Sequence, residues 1–171
     1  MWPIMRETSM KRLTMKFALL ILLSSIMTTP LFASPLVGYW KTIDDKTNEA
    51  KSFVKIAEEN GKFAGSVAFI IAEDKRNDVC DKCKGELKDK PILGMTFMWD
   101  FVETKSGEKW ENGEILDPEN GKIYSCKLTL EDEGKKLDVR GFIGISLFGR
   151  TQVWERSSEE EVMGYQQQSG D

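Results

Sequence analysis

Three cysteines and two arginines offer the most chemistry in this 171-residue chain. Cys80 and Cys83 form a C-x-x-C inside the charged stretch DVCDKCKG, and Cys126 stands apart. The spacing admits three readings. The pair can be a disulfide that staples a loop, a redox-active dithiol, or part of a three-cysteine metal site with Cys126. The redox reading lacks the βαβ setting of thioredoxin-like motifs, and a structural zinc normally takes a fourth ligand. Cys126 alternates with Tyr124, Leu128 and Leu130, which is the pattern of a buried free thiol.

Arg140 and Arg150 sit among apolar and aromatic residues in DVRGFIGISLFGRTQVWER, Asp138 to Arg156. Guanidinium binds carboxylate bidentately, so one or both can meet the head group of an amphipathic anion such as a fatty acid. The other reading pairs them with internal carboxylates, with Asp100, Glu114 and Asp117 as partners and Asp117 also able to cap its own turn. Buried charges are normally paired, which favours the second reading for at least one arginine. If Arg150 is buried and paired, Arg150→Ala costs a few kcal/mol; if it is exposed, only tenths.

The chain has no histidine. Ser-His-Asp and Cys-His catalysis and every histidine-based metal site are therefore excluded. Glu114 and Asp117 are close in sequence, but their strand-to-turn context gives no shared site. No constellation stands out for acid–base work, so an enzyme is not the expected class, and nothing calls for a cofactor.

These residues need a scaffold, and the pattern is strand after strand. Leu36 to Ile43 comes first; Ser52, Val54 and Ile56 then alternate, and Asn60-Gly61 marks a hairpin. Phe63, Gly65, Val67, Phe69 and Ile71 share one face. A polar loop from Glu73 to Lys90 carries the C-x-x-C. Phe97, Trp99 and Phe101 share a face of the next strand. Trp110 to Leu116 follows, with Asn112-Gly113 as a bulge or tight turn. Asp117 to Gly121 is a compact turn. After Tyr124 to Leu130, Leu137, Val139 and Gly141 alternate with Asp138, Arg140 and Phe142. Gly144 to Gly149 makes a corner. In the last strand Arg150, Gln152, Trp154 and Arg156 share a face. From Ser157 the tail is polar and reads as frayed. No helical period is sustained. About eight strands with short connections predict an all-β fold: a single antiparallel up-and-down barrel, because closure removes unpaired edges.

A barrel of that size is either filled by side chains or holds one small ligand. The aromatic set Trp40, Phe97, Trp99, Phe101 and Trp154 can line a cavity or simply fill it. Gly65, Gly141, Ala64, Ser66 and Ala68 favour a cavity if they face inward. With Arg140 and Arg150, the five aromatics form the expected ligand-binding set for a small apolar or amphipathic molecule. The alternative is a filled barrel that acts through its surface on an unidentified protein partner.

The N-terminus reads as a secretory leader, residues 1–33. Lys11, Arg12 and Lys16 precede the apolar run FALLILLSSIM, and TTPLFA offers cleavage after Ala33. The run is about half the ~20 residues that a spanning helix needs, so no spanning segment is expected after cleavage. Cleavage leaves 20 basic and 27 acidic side chains, a net charge of −7. An acidic surface argues against nucleic acid or an anionic membrane as the main partner. Residues 34–156 are then the barrel domain, residues 157–171 a polar tail, and the expected location is periplasmic or secreted. Export into an oxidising compartment favours a disulfide.

Gly38-Tyr39-Trp40 resembles the G-x-W signature of lipocalins. That resemblance implies that Trp40 packs at the closed end of a barrel against a late-strand arginine, here Arg150 or Arg156. The chain more closely resembles a bacterial exported family known as domain of unknown function 2147. The resemblance rests on GYWKT (Gly38 to Thr42), KSFVKI (Lys51 to Ile56), the C-x-x-C followed by KDKPILG (Lys88 to Gly94), ILDPENGKIYSCKL (Ile115 to Leu128) and VRGFIGISLFGRTQVWER (Val139 to Arg156). It implies a small lipocalin-like β-barrel in the bacterial envelope, with no established activity attached.

Overall fold

The computed structural model describes residues 33–169. The leader proposed for residues 1–33 lies outside the described residues, apart from Ala33.

Eight strands form one closed antiparallel barrel in sequence order. They are β1 (Gly38–Ile43), β2 (Ala50–Glu59), β3 (Lys62–Ile70), β4 (Thr96–Lys105), β5 (Lys109–Asp117), β6 (Lys122–Glu131), β7 (Lys136–Phe142) and β8 (Arg150–Ser157). Each pairs with the next, and β8 returns to β1 through Trp40 opposite Arg156. All eight pairings lie within the described residues, so this segment carries the whole barrel. The expected fold class is the observed one.

Period-2 alternation places one set of side chains inside. Trp40, Val54, Ile56, Met98, Phe101, Trp110, Leu128, Leu137 and Trp154 are buried in one core. Bulges break the alternation, and three of them decide which side chains face the core. Phe53 faces Phe69 while Val54 faces Val67, so Ala68 is the extra residue. Phe69 therefore points outward and Ile70 inward, which corrects the single face expected for Phe63 to Ile71. In β4, Asp100 takes φ 62°. Met98 and Phe101 both point inward, and Trp99 is turned out to pair with Glu114 on the outer wall. Phe97, Trp99 and Phe101 thus do not share a face. The third bulge, at Asn112, falls where the sequence predicts one.

Residues 157–169 are not simply a frayed tail. Ser158 caps helix α1 (Glu159–Gln168) by accepting from the Glu161 amide at 3.2 Å. Three glutamates in the first turn suit the positive end of the helix dipole. Val162 and Tyr165 lie against Phe53, outward by alternation in β2, and Phe69, which the β3 bulge turned outward. The Phe53 and Tyr165 ring centroids are 5.2 Å apart. Lys41 adds a bond to Glu161 at 3.0 Å. The bulge and the helix belong together: the bulge adds Phe69 to Phe53, Tyr39 and Ile71 in the outer apolar patch that α1 covers.

Candidate functional site

The two ends of the barrel differ. At the closed end, Trp40 is fully buried and its indole N–H donates to the Leu36 carbonyl at 2.9 Å. The Arg156 guanidinium lies 3.8 Å from the Trp40 ring centroid. It also donates to the carbonyls of Gly134 and Val37, each at 3.2 Å, and to that of Pro35. Burial pulls its pKa below the usual guanidinium value. Gly38 has φ +129°, and a Cβ there would come within 3.4 Å of Arg156 Nη1. The first position of G-x-W thus needs glycine for its backbone, and also for the close arginine. Of the two arginines that the resemblance offered, Arg156 is the one on Trp40.

The interior above this plug is closely packed. A Cβ on Gly65 would fall 2.6 Å from the Met98 side chain, and one on Gly113 would fall 2.3 Å from the Phe101 ring. The space beside Gly65 is already occupied, and Ala64 and Ser66 belong to the opposite face. Phe101 and Trp40 therefore fill the barrel and do not line a cavity. Trp154 is buried too, touched by Phe97 at 6.3 Å between ring centroids.

Toward the open end the same inward face stays accessible. Thr42, Ser52, Ile115, Tyr124 and Gln152 are inward by register, yet only half-buried. The Thr42 and Ser52 hydroxyls share a hydrogen bond at 2.8 Å. Gln152 accepts from the Trp154 indole at 3.2 Å, and the Tyr124 hydroxyl accepts from the Asn120 amide at 3.1 Å. The result is a shallow, mostly polar cup whose floor is Trp154 and Phe97. Sequence reasoning missed these residues, although counting by twos from Trp40 and Val54 reaches Thr42 and Ser52.

The two predicted arginines are separated. Arg150 stands at the rim, with its side chain 66% exposed. Its Nε donates to Asp45 Oδ2 at 2.7 Å and its Nη2 pairs with the same oxygen. Asp45 raises its pKa. The expected partners are engaged elsewhere: Asp100 holds Lys62 at 2.6 Å, Glu114 accepts from Trp99 at 3.1 Å, and Asp117 caps its own turn through the Glu119 amide at 2.9 Å. Arg140 is on the outer wall, opposite Lys127. It donates to the Ser146 carbonyl at 2.9 Å, the Leu147 carbonyl at 3.3 Å and the Thr151 hydroxyl at 2.9 Å. It braces the β7–β8 corner from outside and does not reach the cup.

The C-x-x-C is a disulfide, with Cys80 and Cys83 Cα atoms 5.3 Å apart. Both cysteines are buried. Their loop is tied to β3 by the Gly94 amide on the Val67 carbonyl at 2.8 Å, and to the β5–β6 turn by Lys82 Nζ on the Glu119 carbonyl at 2.8 Å. A shielded disulfide locked to two connections is a staple, because exchange requires a thiolate to reach a sulfur. Cys126 is a buried free thiol, and burial pushes its pKa up to about 12. It should resist a disulfide thiol reagent at pH 8 and react fully only after unfolding. Reaction of the native protein at the rate of an exposed cysteine would place Cys126 elsewhere.

An eight-stranded antiparallel barrel, closed at one end by a first-strand tryptophan beneath a last-strand arginine, is a lipocalin-like barrel. A solved structure described as "Protein HP1028 from the human pathogen Helicobacter pylori belongs to the lipocalin family" matches it with a TM-score of 0.66 and 21% identity, covering 77% of this chain and 88% of that one. The model of a bacterial family, described as uncharacterized protein conserved in bacteria (DUF2147), matches residues 38–156, and the chain belongs to that family. Among curated proteins, none matches.

Proposed function

We propose that this is an exported envelope protein that holds a small amphipathic molecule in the cup at the open end. The observation that carries the reading is the contrast along one inward face: side chains from Trp40 to Trp154 are buried, while Thr42, Ser52, Tyr124 and Gln152 stay accessible. An apolar group would rest on Phe97 and Ile115, a polar group would meet the hydroxyls and the Gln152 amide, and an anionic end would reach Arg150. The leader-like residues 1–33 and the disulfide support export. Among the described residues no helix is long and apolar enough to cross a membrane. The close packing at Gly65 and Gly113 favours a second reading, in which the barrel acts through its surface alone.

Native mass spectrometry before and after mild organic extraction separates the two. An adduct lost on extraction supports the cup, and Ser52→Phe, which fills it, should abolish the adduct while the barrel stays folded. A bare protein that also gives no fluorescence enhancement with a dansylated fatty acid would end the ligand reading. Arg150→Gln should weaken an anionic amphiphile by roughly tenfold, the worth of one charge-assisted hydrogen bond. The same change should move stability by less than ~1 kcal/mol, because the Asp45 pair is solvated.

A further inference from the structure

The exposed apolar side chains are not scattered. Of ten exposed large hydrophobic residues among the described ones, Val79, Leu93, Ile123, Ile143, Ile145, Leu147 and Phe148 sit at the open end, so seven of the ten crowd one end. The β7–β8 corner carries four in six residues. Leu147 is 75% exposed and Phe148 is 79% exposed. Scattered apolar side chains need no explanation, but a cluster on one tip does.

The corner is also held out on purpose. Arg140 grips it from the outer wall through the Ser146 and Leu147 carbonyls. These bonds tie the corner backbone at Ser146 and Leu147 to β7 while both apolar side chains stay exposed. Beside the corner lies a cleft of 340 Å³ between the disulfide loop and β6, lined by Cys83, Leu87, Leu116, Ile123 and Ile143. Lys84 and Lys122 stand at its edge. Among the described residues neither lysine is in an ion pair.

We infer that the open end docks on a phospholipid bilayer, with Leu147 and Phe148 entering the acyl boundary and Lys84 and Lys122 meeting lipid phosphates. The chemistry favours lipid over protein. A protruding apolar corner beside unpaired ammonium groups suits a soft, anionic interface, whereas the core of a protein interface is closely packed and depleted of lysine. The uncommitted lysines supply the charge complementarity in an otherwise acidic chain. The docking does not depend on what the cup holds.

The test uses residues 34–171, which contain the whole barrel and omit the apolar N-terminal run. Flotation with vesicles of phosphatidylethanolamine and phosphatidylglycerol should carry the protein. Leu147→Ser with Phe148→Ser should cut partitioning by about a hundredfold, since two large apolar side chains lose their burial. Lys84→Gln with Lys122→Gln should cut it by roughly tenfold on these vesicles and much less on phosphatidylcholine alone. Both pairs are at the surface, so thermal unfolding should not move. A wild-type protein that does not float, or a Leu147/Phe148 variant that floats like wild type, overturns the proposal. So does a dimer in light scattering that the same variant dissolves, because a second copy would then cover the patch.

Discussion

Arg156→Ala should cost about 3 kcal/mol in urea unfolding, the sum of a cation–π contact and a set of charge-assisted hydrogen bonds partly replaced by water. The side chain is not a surface decoration. It covers Trp40 at 3.8 Å, and its three donors reach Gly134, Val37 and Pro35. It thereby ties the N-terminal entry, the β6–β7 connection and β8 into one lid. Truncation leaves three carbonyls competing for water beside a buried indole. Arg156→Lys should recover less than half of the loss, because one ammonium cannot span three carbonyls set in a fork. A double-mutant cycle with Trp40→Phe should return a coupling of about 1 kcal/mol. A loss below ~1 kcal/mol for Arg156→Ala would mean that water already satisfies the lid, and that the closed end is held by packing alone.

The difference between Arg150 and Arg156 shows what the sequence could convey. Both are in β8, both share a face with Trp154, and composition does not separate them. What separates them is distance along the barrel axis: Arg156 falls opposite Trp40 in the β1–β8 register, while Arg150 has run out to the rim. That register depends on loop lengths around the whole barrel, not on any local pattern. Strand number, order and closure were legible because alternation and turn residues are local signals. Bulges were less so. Asn112-Gly113 advertises one, but Ala68 has no such signature, and its effect is to reverse Phe69 and Ile70. The α1 cap was present as Ser158 ahead of three glutamates, yet two core-facing residues in ten make no helical period. The cavity was the least legible feature. Whether Gly65 leaves a hole depends on which residue stands opposite, and Met98 stands there.

The staple makes the sharpest single-atom prediction. A Cβ at Gly121 would fall 1.9 Å from the Lys82 carbonyl oxygen and 2.4 Å from its carbon. These are backbone atoms of a disulfide-closed loop and cannot swing aside. Gly121 also has φ +69°. Gly121→Ala therefore combines two costs: backbone strain of about 1 kcal/mol, and displacement of the loop from the β5–β6 turn. Displacement breaks the Lys82–Glu119 bond and uncovers Cys80 and Cys83. The total should be about 3 kcal/mol, of the order seen when a packed site is overfilled. Gly61 separates the two costs. It has φ +77° with nothing within 4 Å of an added Cβ, so Gly61→Ala should show the strain alone. Gly121→Asn supplies the complementary control, since asparagine tolerates the backbone conformation but still carries the Cβ. It should remain nearly as destabilised as alanine. The second readout is chemical: native wild type should resist reduction of Cys80–Cys83 by dithiothreitol, and Gly121→Ala should be reduced at least ~10-fold faster, because access limits thiol exchange. Equal reduction rates would show that the disulfide is already open to solvent. The loop would then be resting on the turn without being clamped by it, and the accessible thiols would return the C-x-x-C to consideration as a redox pair.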